Sequence, residues 1–345
     1  MSEPLPALNT AKPGFFARDR NFTRLLGLFV MLFILFTILR PDAFLRWSNF
    51  QSMAKQFPEF GLMALGVSVA MITGGIDLSV VNIANLSAIV AAKFMLEYAP
   101  RGTPATQTVM VIGGAILISL AIGALCGALN GVLIAKVGIP AILATLGTQQ
   151  LFMGIAIVVT GGRPVSGLPT MYSRYGNYSL WRSIPVVLLV FIFCAAVVAV
   201  ILSRTRFGAK LYMLGANPKA AIFAGLKNAK LLVCAYMMSG LLGATAGLIM
   251  MARSNSAKAD YGISYTMQGI LLAVLGGVSP TGGKGTVGGV VMAILVLQMI
   301  SSALNMFENV SNFYRDILWG AVMIGVLVAN HYIAQRETRR QAAAK

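Results

Sequence analysis

Apolar runs of about twenty residues recur along the whole chain, and they constrain its fold more than any other feature. A helix crossing the hydrocarbon core of a bilayer needs about 20 mostly apolar residues. Runs of this kind occupy residues 22–39, 78–96, 107–135, 141–160, 184–202, 231–251, 287–306 and 316–333. Two shorter runs, 60–73 and 266–278, each meet a glycine pair, Gly74-Gly75 and Gly276-Gly277. Charged residues make up only 11% of the chain, and the mean hydropathy is +0.79. A soluble domain carries roughly 25% charged residues, so this chain has too few to cover a wet surface. The fold class expected is an all-α integral membrane protein. It should be a polytopic helical bundle of about ten transmembrane segments, with broken or re-entrant helices at the Gly-Gly corners. Residues 1–24 then form an N-terminal tail, 25–333 the membrane domain and 334–345 a C-terminal tail.

The charge pattern orients the bundle. Lys and Arg number 27 against 10 acids, a net charge of +17. With both termini in the cytoplasm, sixteen basic residues fall in internal segments and nine in external loops, Lys93 and Arg315 at helix ends being left aside. That bias obeys the positive-inside rule. It also explains the basic balance without nucleic acid, since no basic helix or aromatic-basic strand stands outside the apolar runs. The polar start, with Pro4, Pro6 and Pro13, leads into an apolar run without a small-residue cleavage site. It reads as a cytoplasmic tail before a retained helix and not as a removable signal peptide. The expected location is the bacterial inner membrane.

Several chemistries are excluded. Cys126, Cys194 and Cys234 each lie inside an apolar run without CxxC spacing, and His331 is the single histidine. No cofactor or metal ion is therefore expected on this chain. A membrane-embedded enzyme would need paired carboxylates or a nucleophile–base set, and the ten acids are scattered. The glycines of 276–289 and Lys284 imitate a phosphate-binding loop. However, Gly277-x5-Gly283-Lys284 is one residue too long, and Gly285 stands where Ser or Thr is needed. The segment is better read as a glycine-rich reversal between helices, and any ATP chemistry belongs to a partner.

Small residues at four-residue spacing, Gly123/Gly127/Gly131, Gly243/Gly247 and Gly285/Gly289, predict close backbone approach between helices. The two Gly-Gly corners, and Gly113-Gly114…Asn130 against Gly288-Gly289…Asn305, suggest a weak two-half repeat. Their offsets of 202 and 175 residues disagree.

Two segments carry the functional expectation. Thr73-Gly74-Gly75-Ile76-Asp77-Leu78-Ser79 places an acid between two apolar runs, where a carboxylate is costly and faces a cavity or a partner. Asp77 can cap the next helix by accepting from amides near Ser79 or Val80, or it can lie on a substrate path. Ser79, Asn82, Asn85, Asn130, Gln149, Gln268 and Asn305 join it as path candidates by type and depth; interhelical hydrogen bonding is the competing role for each. The second segment is the 203–230 loop, with six basic residues and no acid. Asn217 suits an N-cap, Pro218 the first helical position and Gly225 the position past the end. A short helix follows, with Ala220, Phe223 and Ala224 on one side, and it needs external bracing because two turns are marginal alone.

At Gly74-Gly75-Ile76-Asp77-Leu78-Ser79-Val80 the chain resembles the permeases of ABC importers of the ribose/xylose/arabinose/galactose class, which also includes importers of an autoinducer sugar derivative. Further matches run in order: Lys136-Val137-Gly138-Ile139-Pro140, Thr205-Arg206-Phe207-Gly208, Gly215-Ala216-Asn217-Pro218, Val274-Leu275-Gly276-Gly277 and Gly282-Gly283-Lys284-Gly285. They span roughly residues 60–333. One departure is Val81-Asn82, where the family has Gly-Ser, which stiffens the next helix start and puts substrate choice in question. The resemblance implies a membrane-spanning subunit importing a simple sugar of pentose or hexose type. Its partners would be ATP-hydrolysing subunits, a periplasmic sugar-binding protein and a second permease copy or sister permease. It makes residues 215–225, including Gly215, Ala221 and Ala224, the helix that couples to the ATPase. Bulky residues at Gly215 or Ala220 should then abolish uptake with folding kept. The competing reading is an ion-coupled secondary transporter working without an ATPase, for which Asp77 is the one deep acid.

Overall fold

The computed structural model describes residues 20–180 and 183–306, with isolated positions between 317 and 328. Most of the expected span 316–333, His331 and both tails beyond residues 20 and 328 lie outside the described residues. In chain order the helices are α1 (Arg20–Leu39), α2 (Pro41–Phe44), α3 (Trp47–Ile72), α4 (Val80–Tyr98), α5 (Ala105–Val132) and α6 (Ala141–Thr160). They continue with α7 (Thr170–Asn177), α8 (Val186–Arg204), α9 (Arg206–Ala216), α10 (Pro218–Phe223), α11 (Asn228–Ser254), α12 (Tyr265–Leu275) and α13 (Val287–Leu304). Two-residue strands make two small antiparallel pairs, one joining Val165–Ser166 to Ser256–Ala257.

Seven of the described helices are long and apolar enough to cross a membrane: α1, α4, α5 with its extension to Val137, α6, α8, α11 and α13. The 60–73 run, expected as a short helix, is instead the second half of α3, which has 26 residues. The polar stretch from Trp47 continues the helix through Pro58, whose ring removes one intrahelical bond but does not end it. At about 1.5 Å per residue α3 reaches roughly 39 Å, enough to span. The 266–278 run is the short one: α12 has 11 residues, so it rises about 16 Å and covers only half a bilayer. Pro104, Pro140, Pro169 and Pro185 each stand just before a helix, where the missing N–H costs no intrahelical bond.

Burial sorts the bundle into layers. α3, α4, α11, α12 and α13 form the interior, whereas α1, α5, α6 and α8 turn broad apolar faces outward. The glycine spacing in α5 is a contact seam, as its sequence predicts. A Cβ at Gly127 would strike the Tyr236 carbonyl of α11, and one at Gly240 would strike the Gly123 carbonyl. These two helices therefore touch backbone to backbone over three turns.

Candidate functional site

The corner between α3 and α4 is packed solid around Asp77. Thr73 ends α3, Gly74 takes φ +89, and the chain is irregular as far as Ser79. Asp77 is fully buried. Its Oδ1 accepts from the Ser79 amide at 3.0 Å and the Ser79 hydroxyl at 2.7 Å, and its Oδ2 accepts from Ser239 Oγ of α11 at 2.7 Å. Asn130 Nδ2 of α5 donates to Ser79 Oγ at 2.7 Å. Thr145 Oγ1 of α6 donates to the Ile76 carbonyl at 3.0 Å. One carboxylate thus ties the broken segment to two neighbouring helices, directly to α11 and through Ser79 to α5. The bond expected between Asp77 and the Ser79 amide is present, but it closes the turn before α4 and does not cap the helix, whose first residue is Val80. A Cβ at Gly75 would collide with Tyr236 Oη and lie 2.8 Å from Ala141 Cβ, so the corner is tightly packed at this glycine.

The other path candidates scatter. Asn82 Nδ2 of α4 donates to the Gln149 carbonyl of α6 at 2.8 Å, so these two meet, with Gln149 half-buried. Val81, where the resemblance expected glycine, is a core residue of α4. Asn85 Nδ2 reaches the carbonyls of Ala259 and Tyr261, both at 2.9 Å, and pins the loop before α12 onto α4. Gln268 is buried on α12, and Asn305 is exposed at the end of α13. The structure therefore gathers Asp77, Ser79 and Asn130, pairs Asn82 with Gln149, and leaves Gln268 and Asn305 apart.

The 203–230 loop folds into two helices where one was expected. Thr205 Oγ1 caps α9 by accepting from the Gly208 amide at 3.2 Å, and this cap escaped the sequence reading. Asn217 Oδ1 accepts from the Ala220 amide at 3.0 Å, Pro218 opens α10, and Gly225 takes φ +75 beyond it, as its sequence predicts. The bracing comes from buried Ala221 and from Asn228 Nδ2, which donates to the Pro218 carbonyl at 3.1 Å. Ala220, Phe223 and Ala224 face outward, and Phe223 is 93% exposed. Gly215 is not on that surface. It is buried, and a Cβ there would strike the Ile72 carbonyl and come within 2.5 Å of the Gly283 amide. Gly283 N donates to the same Ile72 carbonyl at 2.9 Å, and Tyr212 Oη of α9 donates to the Gly285 carbonyl at 2.8 Å. A bulky residue at 215 would thus disturb folding itself, which corrects the expectation that folding survives there. The end of α3 and the Gly282-Gly283-Lys284-Gly285 reversal both meet α9 at this one end of the bundle.

The opposite end holds residues the sequence reading passed over. Glu59 of α3 pairs with Arg253 of α11 at 2.8 Å, and Tyr265 Oη of α12 donates to the same carboxylate oxygen at 3.3 Å. With Met250, Ser254, Tyr261 and Gly262 they line a cavity of about 290 Å³. The available signal was an acid about three turns into one continuous helix, hidden because the apolar run begins only at residue 60.

These features define a multi-pass helical membrane protein, a bundle with broken helices and a capped, projecting helix at one end. The chain matches, over residues 49–327, the family described as the permease component of the branched-chain amino acid transport system, and it belongs to that family. A ribose import permease protein (RbsC) of Bacillus subtilis is 35% identical over 302 residues, covering 87% of this chain and 89% of its own. A galactose/methyl galactoside import permease protein (MglC) of Salmonella typhimurium is 32% identical, covering 86% and 91%. The autoinducer 2 import system permease protein LsrD of Escherichia coli is 29% identical, covering 83% and 84%. No solved structure matches the chain. Family membership and the seven apolar helices make this a multi-pass protein of the inner membrane.

Proposed function

We propose that this chain is the permease subunit of an ATP-driven importer for a simple sugar, with both termini and the α10 end in the cytoplasm. The observation that carries the reading is α10 itself. It is a capped two-turn helix whose Phe223 projects 93% exposed, beside Ile222 at 61%, on a segment packed against the end of α3 and the Gly282-Gly283 reversal. An aromatic side chain in that setting suits a groove on a partner, where such anchors dominate binding. ATP-hydrolysing subunits clamping two such helices would move Gly215 and, through it, the end of α3 and the Gly282-Gly283 reversal. ATP binding would then bias the inward–outward equilibrium by its differential contacts with the two states.

A periplasmic binding protein would deliver the sugar, and a second copy of this chain or a sister permease would complete the pathway. The family description includes amino acid permeases, but the sugar permeases match nearly end to end, which favours a sugar. The ion-coupled alternative loses its main support because Asp77 is committed to helix connections on both oxygens.

The test is to purify the tagged chain from its native membranes, identify co-purifying proteins by mass spectrometry, and reconstitute the complex in liposomes. Expected are an ATPase partner and ATP-dependent uptake of labelled D-ribose or D-galactose, delivered by the binding protein. Phe223→Asp should release the ATPase and abolish uptake while the permease remains folded. Transport by the lone chain without ATP would overturn the reading.

A further inference from the structure

We infer that the cavity between α3, α11 and α12 is a binding station for one monosaccharide on its way through the membrane. This rests on the importer reading, which places the cavity toward the periplasm, at the end of α11 remote from α10. At about 290 Å³ it lies at the small end of ligand pockets, roughly 300–1,000 Å³, suiting a single ring more than an oligosaccharide.

Its lining fits a neutral polyol. Glu59 and Arg253 cancel each other's charge, so the site offers hydrogen bonds without demanding an ion. Both Arg253 and Tyr265 reach Glu59 through Oε1, leaving Oε2 without a protein partner among the described residues. A guanidinium carries five donors in a planar fork, and a carboxylate oxygen accepts; together they can bracket neighbouring hydroxyls. Aromatic flanks complete the site. Tyr265 packs at 5.9 Å from the Phe60 ring, and Gly262, at φ +64, lets the Tyr265 ring lie 2.6 Å from where a Cβ would stand. A sugar presents hydroxyl edges and an apolar CH face, and an amphipathic tyrosine can meet both. Asn85 holds this loop in place through the Ala259 and Tyr261 carbonyls, so the residue expected on the path acts behind it.

The experiment uses the purified complex carrying Ser254→Cys at the cavity wall, labelled with a membrane-impermeant charged thiol reagent. The three native cysteines sit in the apolar helices α5, α8 and α11, and the wild-type complex serves as their control. D-ribose or D-galactose should slow labelling of the new cysteine about threefold when its concentration is twice the dissociation constant. Met250→Trp, which fills the cavity from its apolar wall and leaves the ion pair intact, should abolish that protection and cut uptake at least tenfold with the ATPase still bound. Labelling that sugar never slows, in a complex that still imports it, overturns the cavity site and leaves the importer reading standing. Protection by leucine in place of either sugar overturns it too. A wild-type complex that imports no simple pentose or hexose in the presence of ATP defeats the importer reading itself.

Discussion

Asp77 and Glu59 are both buried acids of the same interior layer, one in the break between α3 and α4 and the other within α3, yet they sit in opposite kinds of place. Asp77 is surrounded by short neutral donors, Ser79 and Ser239, and nothing around it is open. Glu59 has a charged partner, Arg253, and one face on a cavity. A carboxylate whose acceptor capacity is taken up by the protein is a joint. One with an unused oxygen beside empty space has something left to offer a ligand. Polarity and depth are alike in both, so the surroundings distinguish joint from site.

The largest effect should come from removing the joint. Asp77→Ala leaves the Ser79 amide, the Ser79 hydroxyl and the Ser239 hydroxyl without their acceptor, at about 1–3 kcal/mol for each buried group. Little folded protein should be recovered, measured as monodisperse yield in detergent. Asp77→Asn should behave differently. Its Oδ1 still accepts from Ser79, and the Ser239 hydroxyl can turn to accept from the new amide. We expect ATP-dependent uptake within about threefold of wild type, or about 0.65 kcal/mol. Complete loss of uptake from well-folded Asp77→Asn would mean that the negative charge itself is used, and the contrast between the two acids would collapse.

Next in size is Glu59→Gln. Arg253 loses its counter-charge but keeps access to water through the cavity. The cost should be about 1–3 kcal/mol, below the 3–5 kcal/mol for breaking a fully buried pair. Folding should therefore survive, with a lower thermal midpoint. The signature that matters is kinetic: uptake should weaken more than ATPase activity, because the sugar loses an acceptor while the coupling helix is untouched. Equal loss of both would make Glu59 another joint.

Much of this was legible in the chain. Spans appear because the bilayer demands about twenty apolar residues. The α10 cap appears because Asn-Pro…Gly is local chemistry, and the α5–α11 seam because Gly spacing at four residues marks one helix face. What failed to show was anything needing two distant segments at once. Glu59 and Arg253 are 194 positions apart, and nothing at either end announces the other. The start of α3 was missed because its first turns are polar and carry Pro58, a pattern that resembles a loop until the rest of the bundle covers it. Gly215 was assigned to a surface because its neighbours belong there; only the Ile72 carbonyl reveals that it faces inward.

Smaller effects sharpen the comparison further. Ser239→Ala withdraws one donor from Asp77 Oδ2 and should cost about 1–2 kcal/mol in thermal stability, with substrate affinity unchanged. Smallest of all is Asn82→Ser, which restores the residue usual in the resembling permeases. It gives up the bond to the Gln149 carbonyl, and interhelical bonds of this kind average about 0.6 kcal/mol in membranes. The thermal midpoint should barely move, and the ratio of D-ribose to D-galactose uptake should stay the same. Asn82 joins α4 to α6 away from the cavity, so it has no sugar to choose between. A changed ratio would move the site of discrimination from the Glu59–Arg253 cavity to the α4–α6 contact, and Asn82 would then be read as a substrate contact and not as a tie between helices.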